Sequence, residues 1–426
     1  MTEVNPNFLL SFWLVLSAYW PVLSAFSFLA LPVLISMADF LPGFKASNKK
    51  VIALENQPSS CEDFSVLVPI YGNIKYLENL EFLKTCARQV FLCTTASESA
   101  QFYQELNALS KEHGFKILKA SIDRGTQASK RATTAPIRDA IMREAIQHIS
   151  SRYVVCLDAD SWPERDFRYY VGAMHKHNIE VTSSCLVPIN KKTFLGKLQV
   201  IEYLLSMKLR RIIPWLVSGG CHAASTEAYK AIMTKHSMFF QGNDVEVGVL
   251  ATRMGFNVGY IPFKVNTSVP DTLKSWYRQR YAWSGGEWRL GMANIKLALQ
   301  FPMFFFYLSA IMLGMFPIRW ISVWYSPWIL PYVYLIYIAI VGILCRKNFS
   351  WFVVIYPLYS FFNSLIMTPL GFFAYFHMSI QHSNWGQIDL NRQRSINEKS
   401  VLKTLDPVYV QEEFINNPDK TNIFIN

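Results

Sequence analysis

Apolar residues fall along this chain in three blocks. From Phe8 to Leu41 the sequence is a nearly uncharged apolar run, interrupted only by Pro21 and Pro32. It exceeds the roughly 20 residues that one membrane span needs but is short for two spans and a loop, so it predicts one anchor over residues 1–42. No basic stretch with a small-residue cleavage signature precedes it, which argues for an anchor over a signal peptide. The middle block alternates instead. Phe64–Pro69, Val90–Thr95, Phe115–Ala120 and Tyr153–Leu157 are short apolar runs that read as buried strands, separated by helical patterns such as Ala135 to Ile149. That alternation predicts an α/β domain over 43–285 with a mostly parallel sheet, and ligands at the carboxyl ends of its strands. Gly286 to Gln300 is amphipathic, with Glu287, Arg289 and Lys296 among apolar residues, and predicts a helix in the membrane interface over 286–300. The third block, 301–381, is apolar again, with candidate spans at Pro302–Pro317, Trp328–Cys345 and Ser350–Phe373. Pro357 and Pro369 predict kinks in the last of these. A polar tail occupies 382–426.

Composition agrees with a membrane protein: 51% of residues are hydrophobic and only 17% charged. Met1 to Asn7 has no Lys or Arg, whereas Lys45, Lys49 and Lys50 follow the first run. By the positive-inside rule the N-terminus lies outside and the α/β domain is cytosolic. The net charge of +11 fits cytosolic loops and attraction to anionic lipid or a phosphorylated substrate, without a nucleic-acid partner. The seven cysteines show no CxxC and an odd count, so neither a disulfide framework nor a zinc site is indicated. An ordinary transporter is disfavoured, because over half of the chain reads as an α/β domain.

Three clusters carry candidate chemistry. Asp158-Ala159-Asp160 follows the fourth strand directly, and two carboxylates so spaced at a strand end can share one hard cation with phosphates completing its shell. The alternative is a pair in which Asp160 or Ser161 caps a helix after Pro163. Asp244, just after Gly242-Asn243, is the candidate general base, with Glu246 as rival and a helix cap as the alternative. Within Trp276–Trp283, Gln279 and Arg280 suit a donor and its pyrophosphate, and Trp283 offers a flat face to an acceptor ring. The alternative there is an interfacial aromatic and cationic belt. Lys130 with Arg131 is a further phosphate-side candidate or a solvated charge pair. Gly219-Gly220-Cys221-His222 reads as a tight turn with close backbone approach to a ligand.

The order strand, Asp-Ala-Asp, Gly-Gly turn, Gly-Asn-Asp, then Val269-Pro-Asp-Thr-Leu-Lys-Ser-Trp276 running into Gln279 and Trp283, then spans, resembles the processive family 2 glycosyltransferases. Hyaluronan, chitin-oligosaccharide, capsular and cellulose-type synthases belong to that family. The resemblance implies a GT-A domain on the cytosolic side of a multi-pass protein of the cell membrane. It implies an inverting enzyme that builds a β-linked polysaccharide from a nucleotide sugar, expected to be a UDP-sugar, with Mg2+ or Mn2+. Asp158 and Asp160 become the metal and nucleotide carboxylates and Asp244 the base. Lys130, Gln279, Arg280, Tyr71 and Glu98 join the donor site, and Trp283, Gly219 and Gly220 take the glycan acceptor. Three departures stand out. Ala282 occupies the motif arginine, which passes the pyrophosphate to Arg280, Arg278 or Lys130. Thr94–Glu98 lacks the uracil-contacting Asp, so Glu98 or a hydroxyl substitutes. After Trp385-Gly386, Gln387 and Ile388 replace Thr-Arg of the tail motif. Transfer of one sugar to a lipid and a non-catalytic degenerate subunit are the two rival readings.

Overall fold

The computed structural model describes residues 6–40, 52–54, 61–121, 135–236, 243–295, 299, 302–310 and 317–382. Its sheet has eight strands in the order β3-β2-β1-β4-β7-β6-β8-β5. Strands β1 (Phe64–Pro69), β2 (Val90–Thr95), β3 (Lys116–Ala120) and β4 (Tyr153–Leu157) pair in parallel and form one half. Every residue of β1, β2 and β4 is buried, as expected of parallel strands covered by helices on both faces. Their ranges coincide with the apolar runs.

The other half departs from the expected parallel sheet. Strands β5 (Ser161–Pro163), β6 (Val181–Pro188), β7 (Cys221–Ser225) and β8 (Val258–Thr267) complete it. There β7 runs antiparallel to both β4 and β6, and β5 antiparallel to β8, while β6 and β8 are parallel. The sheet is therefore mixed. Its hydroxyl-rich strand β6 hides from a hydropathy reading, because its buried Ser and Thr are paired. Ser183 Oγ lies 2.7 Å from Ser218 Oγ, and Ser184 Oγ donates to the Cys221 carbonyl at 2.7 Å.

Helices α2 (Ala100–His113), α3 (Ala135–Ala145), α4 (Phe167–Lys176), α5 (Phe194–Ile212), α6 (Thr226–Lys235) and α7 (Asn243–Arg253) belong to this domain. Several open on a side-chain cap, with Ser99, Asp166, Thr193 and Ser225 each accepting a first-turn N–H. Two apolar clusters flank the sheet.

The apolar N-terminal run is one helix, α1 (Pro6–Phe40). Helix α8 (Leu273–Ala293), capped by Thr272, runs straight through the expected boundary at residue 285. Residues 286–293 are thus its last turns, and they are buried rather than interfacial: Arg289 is 1% exposed and Trp288 donates to the Thr368 carbonyl at 2.9 Å. Beyond it come α9 (Pro302–Ser309), α10 (Arg319–Tyr325), α11 (Ile329–Leu344), α12 (Phe352–Phe362) and α13 (Thr368–His382), the last two joined through a π-helical turn at Asn363–Met367. Among the described residues, two helical stretches are long and apolar enough to cross a membrane, Ser17–Met37 and Phe352–His377. Ile329–Leu344 is shorter, and in the run expected over Pro302–Pro317 the described residues are helical, Pro302–Ser309 as α-helix and Ala310 and Pro317 as π-helix. Arg319 is buried against α1. Helices α1, α5, α11 and α12 share one apolar cluster, which ties the sheet domain to the apolar helices.

Candidate active site

The site forms where the parallel half of the sheet meets the antiparallel half. Strand β4 delivers Asp158 at its carboxyl end, and the turn that follows carries Asp160 before β5 begins. This turn is held from three sides. Asn79, 2% exposed, donates through Nδ2 to the carbonyls of Asp158 at 3.0 Å and Ser161 at 2.7 Å. The N–H groups of Glu78 and Asn79 both reach the Ala159 carbonyl, and the Asp158 N–H donates to the Gly220 carbonyl at 2.9 Å. A carboxylate pair on so fixed a backbone is preorganised. The helix cap after Pro163 is made by Asp166, so capping does not account for Asp160.

Gly219 and Gly220 lie just before β7. Both lie in a bend without a left-handed backbone, and Cys221 and His222 are already strand. Their lack of a side chain matters for space. A Cβ on Gly219 would sit 3.1 Å from Asp244 Oδ2, and one on Gly220 would sit 3.2 Å from Ser161 Oγ. The close approach is therefore to Asp244, in the first turn of α7. Arg138, on α3, completes the floor: its Nη2 lies 2.9 Å from Asp158 Oδ1 and donates to the Gly219 carbonyl at 2.8 Å. Asp158, Gly219 and Asp244 are thereby brought to one place.

The charges there are unbalanced. Burial pushes Asp158 up to about 6, with Arg138 opposing and the charges of Asp160 and Asp244 adding. Burial raises Asp160 as well, and the Ser161 hydroxyl opposes it at 3.2 Å. Crowded, partly desolvated carboxylates gain most from a cation. Among the described residues no three His, Cys, Asp or Glu side chains converge as a complete metal cage. Two carboxylates plus oxygens from a phosphate fit a hard divalent ion better than a closed protein site does.

Glu246 is not a rival base. It is fully buried, paired with the buried Arg289, with His236 Nε2 at 3.8 Å. His222 is buried too; burial pushes its imidazole down to about 3, so it is neutral. Arg280 is engaged elsewhere than expected, in a two-bond pair with Glu202. Trp283, one turn on, is 38% exposed. Gln279 lies on the same helix, with a buried Oε1 that has no partner among the described residues. At the ends of β1 and β2, Glu98 accepts from the Gly72 N–H at 2.9 Å and the Thr95 hydroxyl at 2.7 Å, next to Tyr71. Gly72 is left-handed (φ 80°), which suits glycine. Lys130, Gly242, Gln387 and Ile388 lie outside the described residues.

Residues 153–362 match the model of the family "Glycosyl transferase family group 2". A poly-beta-1,6-N-acetyl-D-glucosamine synthase of Staphylococcus epidermidis is 24% identical over 304 residues, 66% of this chain and 65% of that protein. This chain is a glycosyltransferase, similar to family 2 over residues 153–362. The enzyme of the same name from Staphylococcus aureus (strain COL) is 27% identical over 162 residues, 34% of this glycosyltransferase. The match spans little more than a third of that relative's length, 37%. A mannosyltransferase of Pyrobaculum calidifontis, solved in complex with GDP-Man and Mn2+, superposes with a TM-score of 0.46 at 13% identity, over 84% of this chain and 99% of that one.

Reading the sequence finds the carboxylates of this glycosyltransferase because each stands in a short motif. It misses Arg138, Asn79 and Glu202. Each acts on a partner far along the chain, and an Arg or Glu on an amphipathic helix looks locally like a solvated charge.

Proposed function

We propose that this chain is a membrane-bound inverting glycosyltransferase that polymerises a β-linked polysaccharide from a nucleotide sugar and exports it. The observation that supports it most is the shared floor at Gly219, which Asp244 approaches and which Arg138 ties to the Asp158 carboxylate. Asp158 and Asp160 would hold Mg2+ or Mn2+, which supplies charge neutralisation to the departing diphosphate. Asp244 takes the proton of the acceptor hydroxyl as that oxygen attacks the anomeric carbon and the nucleoside diphosphate leaves. Arg138 keeps Asp158 in its rotamer, and Asn79 keeps the turn. Gln279, half-buried on α8, and the more exposed Trp283 contact donor and acceptor, with Tyr71 and Glu98 on the nucleoside side. The apolar helices anchor the domain to the cytosolic face of the cell membrane. The names of the staphylococcal relatives make UDP-N-acetylglucosamine the first donor to try.

The test uses purified protein in lipid with Mg2+ or Mn2+ and a panel of radiolabelled nucleotide sugars, the product being sized on a gel. A long product, absent with Asp244→Asn, is expected. A short lipid-soluble product would transfer the assignment to a lipid glycosyltransferase. Binding without turnover across the panel would make it a degenerate subunit.

A further inference from the structure

We propose that Glu202 is a positioning residue that fixes the indole of Trp283 through Arg280. The proposal rests on the reading of Trp283 as the acceptor platform. Arg280 precedes Trp283 by three residues on α8, so the two share a helix face. The Arg280 guanidinium carbon stands 4.5 Å from the centre of the Trp283 ring, inside cation–π range. The cation is 6% exposed and the ring 38%, so a buried group backs a half-open one.

Arg280 is in turn gripped from α5. Its Nη1 donates to Glu202 Oε1 at 2.8 Å and its Nη2 to Oε2 at 2.6 Å, the two-bond geometry that holds a guanidinium in one plane. Glu202 is itself fixed, because the Tyr359 hydroxyl of α12 donates to Oε2 at 2.8 Å. That hydroxyl accepts from Trp276 Nε1, one turn before Arg280, at 3.0 Å. The network closes on itself across three helices and reaches solvent at Trp283.

This arrangement settles what Arg280 is for. Its charge is neutralised by a carboxylate that has no other cation on it among the described residues, so it is a poor pyrophosphate ligand. The face it presents is the one beneath the indole. Tyr203, next to Glu202 on α5, packs against the apolar core of the sheet domain. Burial pushes its phenol up to about 12, and the charges of Arg280, Glu202, Arg210 and Asp160 all act on it. The platform therefore takes its orientation from the sheet domain through Glu202 on α5.

The experiment compares wild type, Glu202→Gln, Arg280→Lys and Trp283→Phe in lipid. Near-UV circular dichroism isolates the Trp283 signal as wild type minus Trp283→Phe. Kinetics use UDP-N-acetylglucosamine and β-1,6-linked N-acetylglucosamine oligomers. Glu202→Gln should erase the Trp283 signal and raise the acceptor KM about tenfold, with the donor KM unchanged. Arg280→Lys should do the same, since a lysine cannot make the planar double bond. Retention of the Trp283 signal in Glu202→Gln, or a parallel rise in both KM values, would overturn the proposal. Should Glu202→Gln fail to fold, Tyr359→Phe removes one bond to the same carboxylate and should show the same split to a lesser degree. If wild type turns over no nucleotide sugar, the glycosyltransferase reading falls, and the dichroism alone still decides whether Glu202 holds Trp283.

Discussion

At the scale of single residues, the space above Gly219 is the most sensitive point. Asp244→Asn removes the proposed base and should lower kcat by about 10²- to 10⁴-fold with nucleotide-sugar binding intact. Gly219→Ala introduces a Cβ 3.1 Å from Asp244 Oδ2, so either the carboxylate or the backbone must give by a few tenths of an ångström. Because displacement of about 1 Å in a reacting group can cost about a hundredfold, kcat should fall by about tenfold or more while the fold is kept. Unchanged kcat in this variant would separate Asp244 from the chemistry. Glu144, 5% exposed on α3, gives a prediction of a different kind. Burial pushes its carboxyl up to about 7 from 4.5, although the Ser121 N–H reaches both oxygens and pulls the other way. The folded chain keeps that proton to higher pH than the unfolded chain does, so its contribution is fully present below about 4.5 and is lost as pH rises through 7. Glu144→Gln should therefore melt higher than wild type at pH 8, by at most about 3 kcal/mol, with no difference below pH 4.5. A difference independent of pH would show that burial of the charge is not the cause. Residues such as Glu144 and Arg138 are illegible in the sequence, because neither the burial nor the distant partner has a local signature. Asp158, Asp160 and Asp244 are legible because strand-end and turn motifs carry them.

At the scale of elements, legibility depended on what hides the polar groups. Strands β1, β2 and β4 are continuous apolar runs and read directly. Strand β6 buries hydroxyls by pairing them, and α8 buries Arg289 on Glu246, so both mislead a reading by hydropathy. The proline kinks are a further case. Pro32 in α1 has no N–H for the Phe28 carbonyl, and Pro369 in α13 has none for the Leu365 carbonyl. Helix α10 serves both vacancies with adjacent side chains. Arg319 donates to the carbonyls of Ser27 at 2.6 Å and Phe28 at 3.3 Å, and Trp320 Nε1 donates to that of Leu365 at 2.7 Å. This short helix thus clamps the first and last apolar helices together, and Arg319→Met should destabilise the protein by about 1–3 kcal/mol per carbonyl left unpaired. Pro32→Ala restores a donor within α1. The cost of Arg319→Met should accordingly be smaller in the Pro32→Ala background, read from apparent melting temperatures in a double-mutant cycle. Additive effects would mean that Arg319 acts through packing on Phe28, whose ring it also covers at 4.9 Å.

At the scale of the whole molecule, the question is which way the apolar helices face. Helix α11 has sixteen residues and rises about 24 Å, somewhat less than a hydrocarbon core of about 30 Å. Large aromatic side chains are exposed at both ends. Trp324, Tyr325 and Trp328 lie before it, and Phe349 and Trp351 after it, the pattern of two interfacial belts. The two ends differ in charge. Arg346 and Lys347 stand only at the second, where Lys197 of α5 also reaches over the Phe352 ring at 5.0 Å. The second end therefore meets the sheet domain, and on the proposed membrane-bound reading the positive-inside rule predicts that both are cytosolic. Belts at its two ends make up for a short helix, because aromatic and cationic side chains extend the apolar span into the headgroups. Single cysteines at Trp324 and Lys347, in a chain freed of its own seven, test this with a membrane-impermeant maleimide on intact cells. Trp324→Cys should label from outside, and Lys347→Cys only after the membrane is opened. Labelling of both from one side would mean that α11 lies along the membrane instead of crossing it, and the orientation of the sheet domain would then rest on α1 alone.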